Sequence, residues 1–229
     1  MDNSPFARLP PELRDHIYDA ALQFPEDVIL SELRREGGVG LYHESKAEIS
    51  LNLLLTCRQI AKEAVRRLYA TNTFTIVQNK GDASCDEILQ KFINSIGAVN
   101  VESLQSIRIS YTLTQGTLLN GQFKAHLRQL RDLVKLIPSC SVKVDLSYID
   151  IYKSILFQAQ LDLQSLSLPG TGDAWIGKIG TSVGPAQEDS PDVLESVEFL
   201  RSHLRGCRRD IERNTVSVGT VPIAAAFRW

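Results

Sequence analysis

Between residues 73 and 146 the chain alternates short β-patterned runs with helix-length amphipathic ones, and this alternation restricts the fold more than any other feature. Thr73-Phe74-Thr75-Ile76-Val77, Ile107-Arg108-Ile109-Ser110-Tyr111 and Val142-Lys143-Val144-Asp145-Leu146 place apolar or β-branched side chains at every second position. That is the period of a strand with one face in a core. Two stretches with helical period separate them, Cys85 to Ile96, closed by Gly97, and Phe123 to Ile137, where Leu127, Leu130, Leu133, Val134 and Ile137 recur and Pro138 follows. Parallel neighbours need a crossover of about this length, so the pattern predicts a mixed α/β fold: crossover helices on a small mixed or parallel sheet.

The N-terminal part reads as helical. Leu9-Pro10-Pro11-Glu12 puts prolines where amide hydrogens are expendable and an acid in the positive first turn. Leu13, Ile17 and Ala21 then recur at four-residue steps beside Tyr18 and Leu22, which predicts a helix over 6–22 ended by Phe24-Pro25. Residues 26–50 read as an irregular insertion around Gly37-Gly38-Val39-Gly40, with one short strand near 28–30. A second helix is predicted over 51–70, with Leu54, Cys57, Ile60, Ala61, Ala64, Val65 and Leu68 on one side and Arg58, Lys62, Glu63, Arg66 and Arg67 on the other. Asn72 is expected as its left-handed stop.

Toward the C-terminus a helix is expected over 151–160, leading to a strand at Leu166-Ser167-Leu168. Leu104-x-x-Ile107-x-Ile109 and Leu163-x-x-Leu166-x-Leu168 share half of a leucine-rich-repeat pattern, which ordinary buried strands also produce. Residues 169–189 read as a Gly-, Ser- and Pro-rich loop. A final helix opens at Ser190-Pro191-Asp192, and 215–226 alternate enough for an edge strand. The expected organisation is an N-terminal helical part with the first strand over 1–80 and an α/β part over 81–229, continuous as one domain.

Charge and motifs exclude several functions. Twenty-five Lys and Arg face 27 Asp and Glu, a formal net charge of -2, whereas a nucleic-acid binder needs surplus cation to displace phosphate counterions. No run approaches the ~20 apolar residues of a membrane span, and the N-terminus lacks the apolar core of a signal peptide. Cys57, Cys85, Cys140 and Cys207 are widely spaced, with no Cys-x-x-Cys pair, and read as reduced thiols of a cytoplasmic or nuclear protein. His16, His43, His126 and His203 are isolated in sequence, so neither a metal ligand set nor a catalytic residue is singled out, and no cofactor is expected. Asp86-Glu87 reads as helix-start capping. Gly172 to Lys178 fits a phosphate-binding loop until Ile179, which has no hydroxyl for magnesium. An alternative reading is a small-ligand or nucleotide binder using the loop over 170–184, with Trp175 and Lys178 as contacts.

Two motifs go further. Phe6-x-x-Leu9-Pro10-Pro11-Glu12-Leu13-Arg14-x-x-Ile17-Tyr18 resembles the opening of a fungal F-box-like family. Leu55-Thr56-Cys57-Arg58-Gln59-Ile60-x-x-Glu63-Ala64, continuing to Leu68-Tyr69-x-x-Asn72-Thr73-Phe74, is similar to that family's second segment. With Phe92, Ile96-Gly97, Leu104 and Ile107 to Ile109 the likeness covers roughly the first 110 residues. It implies a non-enzymatic protein-interaction module, a substrate-recognition subunit of a cullin-type ubiquitin ligase that docks a Skp-type adaptor and holds a client. Leu9, Pro10, Pro11, Leu13 and Ile17 are the expected partner-binding residues, facing Cys57, Ile60 and Ala61.

Overall fold

The fold is known from a computed structural model that describes residues 5–32, 39–42, 51–77, 84–114, 121–150, 155–167, 173–177, 179–181 and 191–215. A 3-10 turn at Pro5–Arg8 precedes α1 (Pro11–Leu22), then β1 (Val28–Glu32) and β2 (Val39–Tyr42). A second 3-10 turn, Leu51–Leu55, leads into α2 (Arg58–Thr71), β3 (Thr73–Val77), α3 (Cys85–Ile96) and the single turn α4 (Ala98–Val101). There follow β4 (Ser106–Thr114), α5 (Gln122–Val134), β5 (Ser141–Asp150), β6 (Ile155–Asp162), α6 (Leu163–Ser167), β7 (Gly180–Thr181) and α7 (Pro191–Thr215).

The strands form one sheet in the order β2-β1-β3-β4-β5-β6-β7. Its centre, β1-β3-β4-β5, is parallel, and the pairs β1-β2, β5-β6 and β6-β7 are antiparallel. The mixed α/β class therefore holds, with α3 and α5 as the crossovers of β3-α3-β4 and β4-α5-β5. Register explains why the alternating runs matter. Val28, Phe74, Ile107 and Val142 are successive partners across the sheet, as are Leu30, Ile76, Ile109, Val144 and Leu161. All are buried and pack with Ile88, Leu89 and Phe92 of α3, Leu127 and Leu130 of α5, and Leu200 and Leu204 of α7.

The opposite register positions are polar and linked. Thr75 Oγ1 (2.8 Å) and Arg108 Nη1 (2.7 Å) both donate to Asp27 Oδ2, Arg108 Nε lies 3.2 Å from Asp145 Oδ2, and Gln160 Nε2 donates to Asp145 Oδ1 at 2.7 Å. This chain of bonds ties β3, β4, β5 and β6 together on the sheet's polar face.

Four expectations need correction. Residues 155–162 are strand β6, paired antiparallel with β5 over its whole length, because Phe157, Ala159 and Leu161 alternate into the core. Leu163–Ser167 is helical, not a strand. Asp162 Oδ1 accepts from the backbone N–H groups of Gln164 and Ser165, as an N-cap side chain does, so only the Leu104 copy of the repeat-like pattern enters a strand. The insertion over 26–50 supplies β2 as well as β1, since Val39 to Tyr42 pair with β1 despite Gly40. Asn72 is extended (φ -108°, ψ 151°), not left-handed. The expected edge strand over 215–226 lies outside the described residues from 216 onward.

What Asn72 does instead is bracket two helix ends. Its Nδ2 donates to the carbonyls of Leu22 and Leu68 (2.8 Å each), and its Oδ1 accepts from Phe24 N (2.8 Å). Asn72 is buried, so Asn72→Ala strands three polar groups and should lower stability by about 2 kcal/mol. Asn72→Gly, which a left-handed stop would tolerate, should be at least as damaging; urea unfolding of both variants checks this.

Candidate partner-docking site

Pro10 precedes α1 and Pro11 is its first residue; the Pro10 carbonyl accepts from the Leu13 and Arg14 amides, 3.1 Å each, and Glu12 supplies the acid of the first turn. The helix carries more apolar surface than its core contact uses. Tyr18 and Leu22 are fully buried against Ala64 and Leu68 of α2, with Phe6, Leu53, Leu54 and Ile60 packed around them. Leu13 and Ile17 point the other way and are 49% and 40% exposed. Pro10 and Pro11 are exposed, and Leu9 is half-buried. On the facing segment Cys57, Ile60 and Ala61 are half-buried, whereas Leu55 is 83% exposed. Thus the structure divides the expected ridge: Leu13 and Ile17 stand one turn apart on an outward face, with the prolines at its start.

A knot of polar groups sets that orientation. Arg14 grips the Glu63 carboxylate with Nε (2.9 Å) and Nη2 (3.2 Å), while its Nη1 donates to the Leu9 carbonyl at 2.7 Å. Tyr18 Oη and Gln59 Nε2 donate to the same carboxylate, at 2.9 and 3.1 Å. One turn on, Arg67 makes a two-pronged pair with Asp19. Burial works to raise the Glu63 pKa, but the hydrogen bonds from Gln59, Arg14 and Tyr18 outweigh it and hold the carboxyl below the usual glutamate value. Tyr18 is pushed up to about 12, first by burial and then by its bond to Glu63.

Elsewhere, chemistry-bearing groups come together that sequence spacing did not link. His126 Nδ1 of α5 lies 2.7 Å from Asp86 Oδ1 of α3, and its ring is 6.2 Å from that of Tyr111 on β4. Glu87 completes a capping box with Ser84, so only one of the two neighbouring acids is a cap. The Tyr111 hydroxyl is buried beside the Cys85 thiol, with no other hydrogen-bond partner among the described residues. Burial raises that thiol to about 11, which keeps it protonated and inert at neutral pH. Cys140 and Cys207 are likewise raised by burial, to about 12 and about 11, and all four cysteines are free. The Asp86–His126 contact links the two crossover helices α3 and α5.

A concavity of about 790 Å³ between α5 and α7 contains Lys124, Glu198, His203 and Asp210. Lys124 is paired with Asp210, Glu198 receives Arg201 and Arg205, and His203 stacks on Phe199. Among the described residues no group of three or more His, Cys, Asp or Glu side chains could hold a metal, and no helix is long and apolar enough to cross a membrane. Trp175, the aromatic contact expected for a ligand loop, is instead fully buried in the core, and Lys178 lies outside the described residues.

Residues 32–135 match a family described as Domain of unknown function (DUF7730). The match covers a little under half of the chain, from the end of β1 through α5, and so includes α2 but not α1. No curated protein and no solved structure matches the chain.

The Glu63 knot makes a pH-dependent contribution of known sign. Its folded-state pKa lies below the 4.5 of a free glutamate, so its stabilisation is complete above that value and is lost as pH falls through the lower folded one. Glu63→Gln should therefore be less stable than the native chain at neutral pH, with the gap narrowing as the pH falls below the ordinary glutamate value. A series of urea midpoints from neutral to acid pH measures the convergence.

Proposed function

We propose that the chain is a non-enzymatic, F-box-like interaction module whose α1 ridge docks a Skp-type adaptor, while the remainder presents a client protein to a cullin-type ubiquitin ligase in the cytoplasm or nucleus. The observation that carries the proposal is the outward pair Leu13 and Ile17 on a helix whose other side is pinned by Glu63. Two apolar side chains one helical turn apart, on a helix that cannot roll to hide them, offer a partner the i, i+4 anchors of helix-in-groove recognition. The resemblance of Leu9-Pro10-Pro11-Glu12-Leu13 to an F-box opening supplies the partner class. The role requires neither a cofactor nor a catalytic residue.

Isothermal titration with a purified Skp-type adaptor tests this directly. The native chain should bind, and Leu13→Asp with Ile17→Asp should weaken binding by about 100-fold or more, as loss of two central anchors does. The melting temperature should fall by only a few degrees, because both side chains are largely outside the core. Retained affinity in the double variant, or no binding by the native chain, would remove the ligase reading.

A further inference from the structure

We propose that the exposed face of α2 carrying Arg58, Lys62 and Arg66 is a second docking site, one that takes an acidic segment of a partner protein. The three cations follow at four-residue intervals, so they stack along one side of the helix over about 12 Å. All three are exposed, and none makes an ion pair or side-chain hydrogen bond with the described residues.

Most other described cations are neutralised within the molecule. Arg14 is held by Glu63, Arg67 by Asp19, Arg108 by Asp27 and Asp145, Lys124 by Asp210, and Arg205 by Asp173 and Glu198. Against that background three exposed cations in a row, none of them in an ion pair with a described residue, are a local excess of positive charge. Like charges at i, i+4 disfavour the helix that bears them, and Glu63, the one acid in α2, is committed to α1.

The helix start adds a second, independent deficit. Arg58 is the first residue of α2, the first turn holds no acid, and Cys57 provides no side-chain cap. A cation at the positive end of a helix opposes the macrodipole. Carboxylates brought by a partner would compensate both the stripe and the dipole. They would also find a recess: Lys62 and Arg66 border a groove of about 430 Å³ lined besides by Asp15, Gln59, Glu63 and Arg67, with Arg58 beyond it.

The carboxylates of Asp15 and Glu63 in this groove favour a protein segment over nucleic acid. A continuous phosphate chain would run past them, whereas a peptide can space its acids to meet the cations alone. The net charge of -2 points the same way, because polyphosphate binding draws on a broad cationic field. The site is independent of the adaptor reading, since it uses none of the α1 ridge.

Fluorescence anisotropy on the full chain decides the matter, using as probe a labelled helical peptide with Glu at i, i+4 and i+8. The native chain should bind it with an affinity that falls as salt is raised, and should ignore the same peptide with Gln at those positions. Arg58→Glu with Lys62→Glu and Arg66→Glu should lose at least about tenfold in affinity. The corresponding triple Gln variant gives the same readout should charge reversal impair folding. Leu13→Asp with Ile17→Asp should bind the peptide normally, which separates this site from the adaptor ridge. Undetectable binding by the native chain, equal affinity in the triple variants, or tighter binding of a single-stranded oligonucleotide of equal charge would overturn the proposal.

Discussion

One carboxylate decides which side of the first helix meets water. Glu63 accepts from Arg14, Tyr18 and Gln59 in the seam between α1 and α2, and Arg67 with Asp19 repeats the tie one turn further on. An apolar arc as broad as that of α1 could turn either half inward. With Arg14 and Tyr18 committed to α2, Tyr18 and Leu22 fill the small core, and Leu13 and Ile17 are left outside.

The helical pair is anchored to the rest of the molecule at a few shared points. Phe24 packs against both the small cluster and the main core, and Asn72 joins the end of α1 to the end of α2 at the entry to β3. Beyond it the rings of Tyr69, Phe74 and Phe92 meet at 5.3 to 6.1 Å, connecting α2, β3 and α3. The sheet thus serves as a platform, its apolar rows buried under α3, α5 and α7 and its polar rows cross-linked through Asp27, Arg108 and Asp145.

The central sheet was legible because its strands carry a strict two-residue period, and the crossovers because Leu127, Leu130, Leu133 and Val134 keep a helical one. Local reasoning failed where composition and pairing disagree. Gln158, Ala159 and Gln160 suit a helix intrinsically, yet β5 offers a partner along the whole of 155–162, and tertiary pairing prevailed. Leu166 looked like a strand residue until Asp162 supplied a helix cap. Asn72 has the composition of a left-handed stop, but its amide is worth more as a bridge between two buried carbonyls. The outward ridge was half legible: its residues were identifiable, while the rotation that exposes Leu13 and Ile17 depends on Glu63, 46 to 50 residues away in sequence. The Asp86–His126 contact gave no signal at all, since only the packing of α3 on α5 brings those side chains together.

The docking role requires the outer side of α1 to be open in the free protein and covered by a partner. A single cysteine at that position, Ile17→Cys, reports both states through its rate of modification by a charged thiol reagent, with the native chain as background for Cys57. The free variant should label fast and be strongly protected when a Skp-type adaptor is added. Slow labelling of the free protein, or labelling that the adaptor leaves unchanged, would rule out α1 as the docking face.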